Sequence, residues 1–216
     1  MPVTADATTR EPGATDFGSE AATITQVILH ERQGRDRGRW EQMADAYWPD
    51  STVRLSWYEG DGAGFVAGSR EMVERGRTTV HNMFAPVVHT RGDRAYAEAS
   101  SAIRAHLEVE GVLGHLVSYS RLNYRLERRD GVWKITRLDA IYEDISLTPV
   151  APGERINLPA ARLAKFRQTY SIIAWDLGRN GMEVDDTLLG DDRPGPVQEF
   201  YDATWQWLTG SDDTGN

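Results

Sequence analysis

One carboxylate and a few histidines stand out in this sequence as candidates for acid–base chemistry. In the stretch Glu31–Trp40, ERQGRDRGRW, Asp36 stands just ahead of RGRW, with apolar residues before it (Ile24, Val27, Ile28) and after it (Trp40, Met43, Ala46, Tyr47). Such a carboxylate is either a solvated loop charge, a helix cap, or a group placed to orient a partner. The five histidines, His30, His81, His89, His106 and His115, are dispersed. A neutral imidazole, with an ordinary pKa of about 6.5, suits proton abstraction at neutral pH.

Other chemistries find little support. There is no His-x-His or His-Glu-x-x-His, and the pairs Asp185-Asp186 and Asp191-Asp192 sit in expected turns, so no metal site and no cofactor are expected. The absence of Cys excludes thiolate ligands, disulfides and a cysteine nucleophile. The serine nearest His81 in sequence, Ser69, has no nucleophile-type turn around it, so proton transfer fits better than acyl transfer. The GDGAG run at Gly60 is not followed by the Lys-Ser/Thr of a phosphate loop and reads as a mobile lip.

The elements that must position these residues follow from periodicity. Ile24, Val27, Ile28 and Glu31 are three or four apart, as are Trp40, Met43 and Tyr47, which predicts two helices broken at Gly34 and Gly38. WPD, residues 48–50, stops the second, STVRLSWY alternates as a strand, and Ser69 caps a third helix, REMVERGRTTVHNM. Strands follow: FAPVVHT, then a run from Ala95 to Val109, GHLVSYSRLNYRLER and VWKITRLDAIYED, joined at turns such as Arg91-Gly92-Asp93 and Arg129-Asp130-Gly131. Alternation places Leu116, Ser118, Ser120, Leu122, Tyr124 and Leu126 on an inner face, and Tyr119, Arg121, Asn123 and Arg125 on the other. LTPVAPGERINLP, residues 147–159, reads as a linker to a helix AARLAKFRQTYSIIAWDLGRNG. A final helix starts near Pro194, with Phe200, Tyr201, Trp205 and Leu208 as its apolar face and Trp205 and Trp207 as docking groups.

Three helices followed by a curved antiparallel sheet make an α+β cone. The expected organisation is a disordered tail over 1–20, the cone domain over 21–148, and a linker with C-terminal helices over 149–216, ending in a frayed SDDTGN. The tail lacks the apolar run of a secretory signal, and no stretch approaches the length of a membrane span. A formal net charge of −9 gives no general attraction to nucleic acid or anionic lipid. A cytoplasmic protein without nucleic-acid or membrane partners is the expectation.

The segments RDRGRWEQMADAYWPDSTV, TTVHNMFAPVVHTRGDRAYAEAS and SRLNYRLERRDGVWKITRLDAIYED, in that order and spacing, resemble the SnoaL-like branch of the nuclear transport factor 2-like superfamily. The resemblance spans about Thr23 to Ile145. It implies a bent sheet wrapped around helices with a pocket at its open end. Several members are cofactor-free lyases, scytalone dehydratase and hexachlorocyclohexane dehydrochlorinase among them. In these an Asp before x-x-x-Trp pairs with a His where the third helix meets the sheet, and Asp36 and His81 match those positions. The resemblance thus implies a lyase or isomerase in which His81 removes a proton while Asp36 fixes its tautomer and stabilises the imidazolium. Trp40, Trp57, Met83, Ser118, Ser120, Leu122 and Tyr124 would line the pocket. A cyclic, terpenoid, aromatic or polyketide-like molecule would suit apolar walls with a few hydroxyls.

The sequence departs from the dehydratase pattern. Small residues near Ser100 replace a second His on a central strand, and Arg35 and Trp57 fall where tyrosines polarise the substrate. The alternatives are a non-catalytic binding or assembly module of the same fold, or an epoxide hydrolase, for which Asp139 is a candidate further acid. His30, His89 and His106 read as surface or outward residues, and His115 falls outside the Leu116 row. The C-terminal helices would cover the pocket mouth or mediate dimerisation, and the polar outer face of the third long strand would pair copies into a homo-oligomer.

Overall fold

The computed structural model describes residues 18–158 and 160–210, so most of the expected N-terminal tail and the whole SDDTGN tail lie outside it. The first helix, α1 (Ser19–Asp36), runs straight through Gly34. A Cβ there would lie 2.8 Å from the backbone N of Met43, so this glycine lets α2 (Trp40–Asp45) cross close by. Only Gly38, at φ +66, breaks the chain between them.

The strand β1 (Tyr47–Leu55) begins before WPD, and the Trp48 indole donates to the Glu127 carbonyl at 3.0 Å. After β2 (Tyr58–Asp61) the glycine-rich run is not a lip. It is the start of α3 (Gly62–Glu74), capped by Asp61, whose side chain accepts from Gly64 N at 2.6 Å. Phe65, fully buried against Tyr47 and Trp57, supplies the packing that outweighs the helix cost of three glycines. Ser69 lies inside the helix, which ends before Gly76 at φ +76. TTVHNM is therefore outside it, in β3 (Thr79–Met83).

The remaining strands are β4 (Val87–Arg91), β5 (Arg94–Val109), β6 (Val112–Arg129) and β7 (Val132–Pro149). At the β5–β6 and β6–β7 turns both Glu110-Gly111 and Asp130-Gly131 have positive φ, the geometry that matches the twist of a tight hairpin. The sheet order is β2-β1-β7-β6-β5-β3, with β4 also on β5. It is mixed: β1 and the short β8 (Leu189–Gly190) run parallel to β7, and the other pairs are antiparallel. The curved, unclosed sheet holds α1, Met43 and Phe65 against the Leu122, Tyr124 and Leu126 row, all fully or almost fully buried.

The C-terminal region is less helical than its spacing predicts. Only α4 (Ala160–Leu163), a 3-10 turn at Gln168–Tyr170 and α5 (Ser171–Arg179) form before β8. Arg167 holds extended backbone, and its guanidinium binds Asp192 and the Leu188 and Asp186 carbonyls, which ends any continuous helix there. Ile172 of α5 packs with Leu107, Val109 and Leu116 at the far end of the long strands.

The last helix, α6 (Pro194–Thr209), lies on the outer face of the sheet. Arg121 binds Tyr201 and Asp191, Arg125 binds Thr204, and Arg94 donates to the Trp207 carbonyl. The buried positions of α6 are Val197, Thr204 and Leu208, and Trp205 rests on His89 and Tyr96. Two of the four residues of the polar face expected to meet a second copy, Arg121 and Arg125, are thus engaged by the chain's own extension, and Asn123 is buried under Tyr96. Tyr119 stays 43% exposed.

Candidate functional site

The last turn of α1 faces β3. Asp36 accepts from the His81 backbone N through Oδ2 at 2.7 Å, and its Oδ1 is 2.7 Å from His81 Nδ1. An ionised carboxylate cannot donate, so Nδ1 carries the proton and Nε2 keeps its lone pair. Nε2 lies 3.2 Å from Nη1 of Arg32, an N–H donor. Arg32 is held in turn by Glu31, through Nη2–Oε1 at 2.7 Å and Nε–Oε2 at 2.8 Å, and the Tyr47 hydroxyl donates to Glu31 at 3.0 Å. The result is a buried polar chain, Asp36–His81–Arg32–Glu31–Tyr47, with Tyr124 beside Arg32.

Its electrostatics follow from burial and adjacency. Burial, then the Arg32 charge, push His81 down to about 3, while the hydrogen bond to Asp36 pulls the other way. Burial works to raise Asp36, but its hydrogen bonds from the His81 ring and backbone outweigh that and hold it below the ordinary carboxylate range. Burial likewise disfavours the Arg32 cation, yet Glu31 keeps it charged, with its pKa raised. Burial and the neighbouring Arg32 lower Arg35 to about 10.

A pH dependence follows. His81 titrates at about 3 when folded and near 6.5 when exposed, so below 6.5 the unfolded chain takes the proton first. Stability is expected to fall as pH drops from 6.5 toward 3, and His81→Gln should flatten that limb in denaturant titrations at stepped pH. Equal slopes in both proteins would show that His81 is not held neutral.

One cavity is lined by His81, and a second shares four lining residues with it. A small inner one, about 30 Å³, is lined by His81, Arg32, Trp57, Ser120 and Leu122, among others. An outer chamber of about 340 Å³ lies between the Arg77–Thr79 segment, the ends of β5 and β6, and α5. Arg35, Ser56, Trp57 and Ile103 line both. The outer wall is more charged than the sequence suggests: Arg77 is paired with Asp176, and Arg179 binds Asp176 and the Glu108 carbonyl.

Among the pocket residues expected from sequence, Trp57, Ser120 and Leu122 line the inner cavity. Tyr124 is buried behind it, and Ser118 is buried with no hydrogen-bond partner for its Oγ. Trp40 is elsewhere: it stacks on Arg70 above a surface groove with Ala63 and Val66, because α2 turns it toward α3. Met83 packs on the main core and lines neither cavity. Asp139 pairs with Arg137 and sits opposite Asn123, on the outer side of the sheet and away from the cavities. His106 and His115 lie side by side across β5–β6, His89 packs under Trp205, and His30 is exposed.

Sequence reasoning missed Arg32 and Arg35 as site residues, and Glu31 as an anion holding one of them. The signal was present, since Glu31 continues the apolar stripe of Ile24, Val27 and Ile28, and a carboxylate in that stripe requires a buried cation. Among the described residues no group of three or more His, Asp or Glu is arranged to hold a metal ion, and no helix is long and apolar enough to cross a membrane.

Comparison with known proteins agrees with this fold. An uncharacterised protein of Emericella nidulans is 24% identical over 149 residues, covering 65% of this chain and 63% of that protein. The chain therefore spans just under two thirds of that relative's length. Two crystal structures of hexachlorocyclohexane dehydrochlorinase are similar, a type 2 form and a type 3 form from Novosphingobium barchaimii LL02. Each superposes with a TM-score of 0.52 at 20% identity, over 65% of this chain and 95% of theirs. At that identity the likeness is one of fold. Residues 19–139, more than half of the chain and all of the segment that carries Asp36 and His81, match the SnoaL-like domain, and the chain belongs to that family.

Proposed function

We propose that this protein is a cofactor-independent enzyme of lyase or isomerase type that acts on a small molecule seated in the outer chamber. His81 is the base, and Asp36 orients it. The observation that carries this reading is the pair itself: a neutral imidazole with Nδ1 held at 2.7 Å by a carboxylate, in the wall of a cavity that adjoins a ligand-sized chamber.

Arg32 sets a condition on the mechanism. With its Nη1 3.2 Å from Nε2, the lone pair is engaged at rest, and the guanidinium must yield that contact as the substrate C–H approaches. Glu31 keeps Arg32 neutralised throughout. The imidazolium then formed is stabilised by Asp36, and the nearby cations favour negative charge developing on the substrate. Whether the electron pair expels a leaving group or is reprotonated elsewhere separates lyase from isomerase.

The alternative is a non-catalytic binding module, favoured if Arg32 stays on Nε2 with ligand bound. The epoxide hydrolase reading loses its extra acid, since Asp139 is tied to Arg137 away from the cavities.

The test is a panel of carbon acids, namely cyclic ketones, β-hydroxyketones and halogenated cyclohexanes, incubated with the protein in deuterium oxide and followed by NMR. Elimination or deuterium uptake that disappears in His81→Ala is the expected result. A panel with no protein-dependent exchange, alongside ligand binding that leaves the His81 resonances unmoved, would rule the enzyme reading out.

A further inference from the structure

The outer chamber is built from two parts of the chain. The family-matched segment, residues 19–139, supplies the Arg77–Thr79 stretch and the ends of β5 and β6. Helix α5, beyond that segment, supplies Ile173, Asp176, Leu177 and Arg179. Much of the wall is apolar, with Met72, Leu107, Leu116, Ile173 and Leu177 in it. Two guanidiniums, Arg77 and Arg179, line this chamber and not the inner cavity. They share one carboxylate, Asp176, which is only 13% exposed. Among the described residues Arg77 makes no other hydrogen bond, and Arg179 adds the Glu108 carbonyl at 3.0 Å and a stack on the Trp175 ring at 4.7 Å. The Glu108 carboxylate does not restore the balance, since strand alternation places it on the outward row with Arg104 and His106. Two cations against one anion leave a positive charge in the chamber wall, although the chain as a whole carries −9. Both guanidiniums keep N–H groups for a second anion, and both are partly exposed and so within reach of one.

We propose that the chamber takes an organic acid: an apolar, ring-sized body against the chamber wall, with its carboxylate held by Arg77 and Arg179. The proposal rests on the chamber being the ligand site of the function proposed above, and not on His81 acting as base. A carboxylate laid against planar guanidinium forks is the pairing their geometry fits. Apolar surroundings strengthen that attraction relative to water. Asp176 has two effects: it positions the two cations, and it competes with the ligand for them. The C-terminal extension thereby selects the ligand, because α5 contributes both Arg179 and Asp176 to a chamber whose other wall belongs to the family segment.

The experiment uses the full chain and two probes of one shape, 2-naphthylacetate and the uncharged 2-naphthylacetamide, titrated by calorimetry at low ionic strength. Wild type should bind the carboxylate about ten-fold or more tightly than the amide, the scale of hydrogen bonds to a charged group. Arg77→Met combined with Arg179→Met should erase the preference, and the corresponding pair of lysines should keep part of it. Asp176→Asn should widen the preference, because both guanidiniums lose the partner that competes for them; a purely structural Asp176 would narrow it. In ¹⁵N-labelled wild type the Arg77 and Arg179 Nε resonances should shift with the carboxylate and not with the amide, a readout that needs no variant to fold. Equal binding of the two probes, no binding of either, or a preference that narrows in Asp176→Asn would overturn the proposal. A preference that survives the double methionine variant and falls in Arg35→Met would also overturn it, by moving the anion to the shared wall. If the preference holds while no carbon acid exchanges its proton, the anion site stands and the base reading falls; exchange without the preference does the reverse.

Discussion

Asp36→Asn is expected to lower turnover of whichever compound the wild type converts by about 10³–10⁴-fold, the scale seen when an orienting carboxylate behind a catalytic histidine becomes an amide. The cause is in the donor count. Asp36 accepts two N–H bonds, one from the His81 backbone and one from its ring. An amide offers one acceptor oxygen and an NH₂, so one of those bonds is lost or the ring must present a lone pair at Nδ1. That tautomer carries its proton on Nε2, which then points at the Arg32 Nη1 donor 3.2 Å away. The base is removed without removing the imidazole. Two-bond ¹⁵N–¹H correlation of the ring should show the Nδ1-protonated tautomer in wild type and its loss in the variant. An unchanged tautomer with unchanged turnover would detach Asp36 from the chemistry.

Glu31→Ala is expected to cost about 3–5 kcal/mol in urea unfolding, because it strands a buried guanidinium. Glu31 is 0% exposed and Arg32 3%, and Tyr47 loses its acceptor as well. The control is Glu71→Ala, which breaks the exposed pair with Arg75 and should cost less than about 1 kcal/mol. Replacing both buried partners, Glu31→Leu with Arg32→Met, should recover most of the loss, since no charge is then left uncompensated. It should also raise the proton affinity of His81 by removing the Arg32 charge. Equal costs for Glu31→Ala and Glu71→Ala would mean that the inner pair is hydrated in solution.

The inner row of β6 was legible because a period of two holds from Leu116 to Leu126, whereas two bulges, where β7 carries an extra residue opposite β6, break that period in β7. The start of α3 was not, since GDGAG carries turn composition and only tertiary burial of Phe65 makes it helical. Asp36 and His81 could be singled out from a resemblance, whereas no local pattern brings residue 81 to residue 36. That takes the pairing of β3 with β5 and the passage of α1 across β3. Trp40 was misplaced for a similar reason: which way a residue at the start of a six-residue helix turns depends on what crosses it. Arg35 was noted as a departure from a pattern, but its place in the walls of both cavities depends in part on α5, whose position periodicity does not encode.

The packing of α6 on the outer sheet face bears on the order of assembly. Its contacts span great sequence distances, with Arg94 meeting Trp207 across 113 positions. Loops that long close late, and a chain emerging from the ribosome releases this helix after every strand it covers. Until then Tyr96, Arg121 and Arg125 face solvent on a completed sheet. The cone with its inner cavity therefore precedes the outer layer, which docks last. It should be the first to detach under limited proteolysis.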